Sequence, residues 1–158
     1  MLEHGRPCHV PHSEFDGLVT IFYRKISLLC FMMLTENAIA GEVVQTCYEI
    51  HRDLGPGFFE QVYEEILSYE LKRKHLKVAR QVILPLVWKG CRLNKAFRAD
   101  LLVGDKVIVE IKAVESLTLV HQRQVLNYLR FSGMKLGLLV NFNEINIKTG
   151  LRRFVNNL

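Results

Sequence analysis

No Asp or Glu occurs between residues 72 and 98, although that stretch holds nine Lys or Arg: Lys72, Arg73, Lys74, Lys77, Arg80, Lys89, Arg92, Lys95 and Arg98. The segment carries +9 in a chain of formal net charge +5, which leaves −4 for everything else. Such a block is either the electrostatic footprint of a polyanion, with nucleic acid the commonest candidate, or a solvated face. Long apolar runs are missing too. The most hydrophobic stretch, "LVTIFYRKISLLCFMML", is broken by Arg24, Lys25 and Ser27, so no run of about 18 residues is available to cross a membrane. The residues before it are not basic and no small-residue cleavage site follows, which argues against a secretory signal. Cys8, Cys30, Cys47 and Cys91 form no C-x-x-C pair. That argues against an iron-sulfur cluster and fits reduced, mostly buried thiols in a cytoplasmic protein. Repeats and low-complexity segments are absent.

What is present suits one soluble domain: 158 residues, 49% apolar and 23% charged, are enough for a real core. Residues 1–33 stand apart and read as an N-terminal extension, disordered or peripheral, with Met32 or Met33 a candidate natural start. His4, Cys8, His9 and His12 crowd this segment, but their spacing matches no standard zinc-ligand pattern. The functional domain is expected at 34–158.

Thr35 predicts the cap of a helix running to about Arg52, with Ile39, Val43, Cys47 and Ile50 as its apolar stripe, stopped by "LGPG" at 54–57. A second helix is expected from Phe58 to about His75, with Phe59, Val62, Tyr63, Ile66 and Leu67 on one side, Glu60 at the edge of that face and Glu64 and Glu65 further out. Strands follow at 78–88, 97–103 and 106–113, then a helix over about 118–132, a buried strand at 135–142 and one short strand at 151–155. The strand-helix-strand crossover favours parallel pairing.

The third strand, "VIVEIKA" (107–113), sets Glu110 and Lys112 into an apolar run. A charge taken out of water costs several kcal/mol unless it is paired or metal-bound, so both need partners. Asp100 in "FRADLLV" is the candidate. A two-residue loop at 104–105 would send Asp100 and Glu110 to opposite faces, whereas an odd loop, 104–106, pairs residue 103 with 107 and sets the two carboxylates side by side. The odd loop is expected, because it alone groups the charges. Opposite residues have Cβ atoms about 4.5–5.5 Å apart, near enough for two carboxylates to share one divalent cation. A buried ion pair of structural use is the competing explanation. On the following helix, His121, Gln124 and Tyr128 share a stripe that could overlook this site.

"GFFEQVY" (57–63), with "LGPG", "FRAD", "VEIKAV" and "HQRQVLNYL", resembles the GxxExxY proteins, a branch of the PD-(D/E)XK nuclease superfamily, over roughly residues 34–155. The resemblance implies an α/β, three-layer restriction-endonuclease-like core, a central mixed β-sheet flanked by helices in αα-βββ-α-β order. It also implies metal-binding carboxylates at Asp100 and Glu110, the E-x-K lysine at Lys112, a helix-borne acid at Glu60 and the motif glutamine at Gln124. Ala99 stands where the superfamily's name would put Pro.

The expected function is a metal-dependent nuclease hydrolysing phosphodiester bonds, of DNA rather than RNA, with Mg²⁺ or Mn²⁺ as cofactor because the donors are oxygens. Asp100 and Glu110 would bind the metal together with the Ile111 carbonyl. Lys112 would orient the attacking water, and Glu60 would hold a water or a second ion. Lys72, Arg73, Lys74, Lys77, Arg80 and Arg98 would grip the nucleic acid, with His121 and Tyr128 as further contacts. Two rivals keep the fold without cleavage: a nucleic-acid-binding module and a protein-interaction module. No oligomeric state is set by the sequence.

Overall fold

Thr35 brings the chain into its first helix: its hydroxyl accepts from the Ala38 N–H at 3.2 Å, filling one of the vacancies in a helical first turn. The computed structural model describes residues 34–158, with backbone alone at 87–88, 92 and 94–96. Helix α1, Glu36–Leu54, buries Ile39, Ala40, Val43, Cys47 and Ile50, the expected stripe, and ends at Gly55, whose N–H donates to the His51 carbonyl. Helix α2, Glu60–Arg73, starts later than expected. Phe59 precedes it as cap residue and is 84% exposed, so the helix takes its phase from Tyr63, Leu67 and Leu71. That phase buries Glu64, which had been expected further out, and Ser68.

Five strands follow in sequence order across one mixed sheet: β1 Val78–Trp88, β2 Cys91–Val103, β3 Val107–Lys112, β4 Leu136–Asn141 and β5 Leu151–Val155. Strand β2 extends well upstream of the expected residue 97, because Lys89 and Gly90 turn with φ of 47° and 82°. Two positive φ values suit a tight hairpin, so the polar stretch after it zips onto β1. The next turn takes the odd length: Val103 pairs with Val107, leaving Gly104, Asp105 and Lys106 as the loop. Gly104 has φ +62°, and a Cβ there would stand 2.6 Å from the Ile39 Cδ1, so this is a position for glycine.

Strands β3 and β4 run parallel and are joined by helix α3, Leu119–Ser132. A Cβ on Gly137 would meet Val125 at 2.7 Å, so α3 covers the face of β4 that carries Gly137. Helix α1 covers the other face, where Ala40, Gly41 and Val44 line a groove with Leu138. Gly137 pairs with Ile108, and Ile108 packs against Tyr128 and Leu129 of α3. By strand alternation Glu110 and Lys112 share that side. A single turn, helix α4 (Ile147–Gly150), which the sequence reading had not anticipated, leads into β5, antiparallel to β4. Two helix layers around a central sheet make this an α/β restriction-endonuclease-like core.

Candidate active site

The β2–β3 register, Val103 with Val107, Leu102 with Ile108 and Leu101 with Val109, brings Asp100 level with Glu110. The backbone ladder stops at Leu101, and the Asp100 side chain continues it: its Oδ2 accepts from the Ile111 N–H at 2.8 Å. Glu110 is 2% exposed. Its Oε1 accepts from the Lys112 ammonium at 2.5 Å, while its Oε2 is buried with no hydrogen-bond partner among the described residues. Buried polar atoms are nearly always satisfied, so an orphan oxygen beside a second carboxylate calls for a physical reason.

Electrostatics say what is missing. The Glu110 carboxyl is pushed up to about 7: burial raises it most, the neighbouring Asp100 charge acts in the same direction, and the Lys112 ammonium opposes both. Burial likewise raises Asp100, opposed by the Ile111 N–H and the Lys112 charge. Two adjacent carboxyls displaced toward the neutral form lack positive charge. A hard divalent cation on Asp100 and Glu110 Oε2 would supply it, so the donor set fits Mg²⁺ or Mn²⁺. Among the described residues no three His, Cys, Asp or Glu side chains form a group that could hold a metal ion.

Helix α2 contributes from its first two turns. Glu60 is exposed, and its Oε1 accepts from the Ala113 N–H at 3.3 Å, just past the end of β3. Its charge adds to the upward push on Glu110. One turn on, Glu64 is 4% exposed. It takes the Arg80 Nε at 2.7 Å and the Gln81 Nε2 at 2.6 Å, and the same Gln81 nitrogen reaches Asp100 Oδ1 at 3.3 Å. The sequence reading missed Glu64 and Gln81. The signal for Glu64 was the Tyr63, Leu67, Leu71 spacing, which places residue 64 on the buried face.

Helix α3 is tied down by the residues expected to overlook the site. Gln124 Nε2 donates to the Tyr128 hydroxyl at 2.6 Å, and that hydroxyl donates to the Arg98 carbonyl at 3.0 Å. Tyr128 is 3% exposed, and burial pushes its phenol up to about 12. The hydroxyl expected to meet nucleic acid is thus buried and engaged by Gln124 and by the β2 backbone. His121 is also engaged locally: its Nδ1 accepts from the Thr118 N–H at 3.2 Å and the Thr118 hydroxyl accepts from the His121 N–H, a capping box.

The acid-free segment is not acid-free in space. Arg73 meets Glu70 at 3.3 Å, Lys74 meets Glu49 at 3.1 Å, Lys77 meets Asp105 at 2.6 Å, and Arg80 meets Glu64 and Glu65 at 2.7 and 3.3 Å. Arg73 is paired within its own helix, whereas Lys74, Lys77 and Arg80 meet acids brought by other parts of the chain, so a phosphate at any of the four would compete with an acid. Lys72 and Arg98 are exposed and, among the described residues, in no ion pair. The side chains of Arg92 and Lys95 fall outside the described residues, as do His4, Cys8, His9, His12 and Cys30. Cys47 is buried, with its thiol pushed up by that burial, and Cys91 is exposed; both are free.

A mixed sheet that sets an aspartate against an E-x-K strand, clasped between helices, defines a nuclease-type α/β core. A family model described as the PD-(D/E)XK nuclease superfamily matches residues 37–154, and the chain belongs to that superfamily. The solved crystal structure of SSO0001 is similar at 21% identity with a TM-score of 0.45, over 63% of this chain and 51% of that one; the chain thus spans about half that protein's length. No match was found among curated proteins. Among the described residues no helix is long and apolar enough to cross a membrane.

Proposed function

We propose that this chain is a divalent-cation-dependent nuclease that hydrolyses phosphodiester bonds, of DNA in preference to RNA. On its "GFFEQVY" motif we place it in the GxxExxY branch. The observation that carries the activity is the unpartnered, buried Oε2 of Glu110 beside Asp100 and Lys112. Asp100, Glu110 Oε2 and the Ile111 carbonyl would hold Mg²⁺ or Mn²⁺. Bound there, the cation would make water nucleophilic near neutral pH and draw charge from the phosphate. Lys112 would orient the attacking water and donate to the phosphoryl oxygen as charge develops. Its bond to Glu110 Oε1 keeps the ammonium at the site while leaving hydrogens free to donate. Glu60 would hold a water or a second ion. Gln124, half-buried and bonded to Tyr128, would reach a phosphate oxygen only by leaving that bond. Arg98, exposed and in no ion pair among the described residues, would grip the backbone with Lys72.

The test incubates the purified chain with labelled single- and double-stranded DNA and RNA in Mg²⁺, Mn²⁺ or EDTA, beside Asp100→Ala and Lys112→Ala. Cleavage that needs the cation and disappears in both variants is expected. Cleavage that survives both would remove the mechanism, and binding with no cleavage under any condition would favour the silent module.

A further inference from the structure

Gln81 lies in the middle of β1, yet its φ is +52°, a conformation that side chains other than glycine rarely adopt. The strand pairs on either side are regular, Arg80 with Leu101 and Val82 with Ala99, so Gln81 stands level with Asp100 on the neighbouring strand. Backbone strain in a strand persists only where the surroundings over-determine it, and here they do so through the side chain. Gln81 Nε2 donates to Glu64 Oε2 at 2.6 Å and to Asp100 Oδ1 at 3.3 Å. Both acceptors are carboxylates, so the amide can present only its NH₂ end to them. Glu64 cannot swing away, because its other oxygen is held by the Arg80 Nε at 2.7 Å and the residue is 4% exposed. Asp100 is thus held at both oxygens, by Gln81 and by the Ile111 N–H.

We infer that Gln81 is the positioning residue of this centre: locked by Glu64 and Arg80, its amide fixes the Asp100 carboxylate beside Glu110 and so sets the affinity for the divalent cation. The inference rests on the cation-binding reading above. Groups that orient metal ligands from behind commonly change metal affinity by about 10- to 100-fold when removed. The strained backbone supplies a control, since glycine at this position removes the amide and the strain together.

Calorimetric titration of the full chain with MnCl₂ tests it, using wild type, Gln81→Ala, Gln81→Gly and Asp100→Ala, each also melted without metal. Both Gln81 variants are expected to bind Mn²⁺ about 10- to 100-fold more weakly, with the metal-free melting temperature of Gln81→Gly above that of Gln81→Ala because glycine relieves the strained backbone. Wild-type affinity in both Gln81 variants, with Asp100→Ala unable to bind, overturns the role of Gln81 and leaves the centre standing. Weaker binding that follows the loss of metal-free melting temperature from one variant to the other, small in Gln81→Gly and large in Gln81→Ala, also overturns it, since that marks a damaged sheet. If wild type binds no Mn²⁺, or Asp100→Ala binds as well as wild type, the centre itself is wrong and the role of Gln81 falls with it.

Discussion

Glu64 and Glu110 are both almost fully buried, 4% and 2% exposed, and each has a cation at hydrogen-bonding distance. They differ in what remains. Arg80 and Gln81 occupy both oxygens of Glu64, whereas Glu110 gives one oxygen to Lys112 and keeps the other unsatisfied next to Asp100. A fully satisfied buried acid is explained by the fold it joins, here α2 to β1. An acid left half-satisfied beside a second carboxylate weakens the fold unless something else binds, and that is where the proposed cation would sit.

The largest effects test the Glu110 side. Asp100→Ala or Glu110→Ala should lower cleavage by roughly 10³-fold or more, and Lys112→Ala by about 10²-fold or more, in single-turnover assays with circular dichroism confirming the fold. Stability should separate the two acids by sign. Glu64→Ala leaves Gln81 and Arg80 short of a partner. Arg80 still reaches solvent, so the loss is reduced to about 2–3 kcal/mol in urea denaturation. Glu110→Gln should instead stabilise the metal-free protein, by about 1–2 kcal/mol at about pH 8.

That gain depends on pH in a definite direction. Folding raises the Glu110 pKa from 4.5 to about 7, so the folded chain binds this proton more tightly than the unfolded one. The penalty is absent below the ordinary value, grows as pH rises between the two, and is complete above about 7. Wild type and Glu110→Gln should therefore melt together near the low end and diverge above it, and Mg²⁺ should stabilise wild type alone. The smallest effects concern the basic residues. Arg98→Ala should weaken DNA binding and reduce the salt slope of log K by about 1. Lys77→Ala, which removes an exposed partner of Asp105, should shift stability by less than about 0.5 kcal/mol.

The sequence made one side of this comparison legible and hid the other. Burial of Glu110 and Lys112 in "VIVEIKA" left only one β2–β3 register that groups the charges, so the Gly104–Lys106 loop could be read from the need to avoid isolated buried charge. The α1 stripe and the Thr118 cap followed from helical periodicity and capping chemistry. Glu64 was hidden because Phe59, which a phase count includes, lies outside α2 and points to solvent. Gln81 was hidden more deeply, since no residue pattern announces a left-handed glutamine inside a strand. In the basic segment Lys77 and Arg80 find acids 28 and 16 residues away, contacts that charge counting along the chain does not see.

Anomalous diffraction from a crystal soaked in Mn²⁺ would locate the ion directly. A single strong peak within coordination distance of both Asp100 and Glu110 Oε2 is the predicted result; a map with no peak between those two carboxylates, at Mn²⁺ concentrations that support cleavage, would contradict the account.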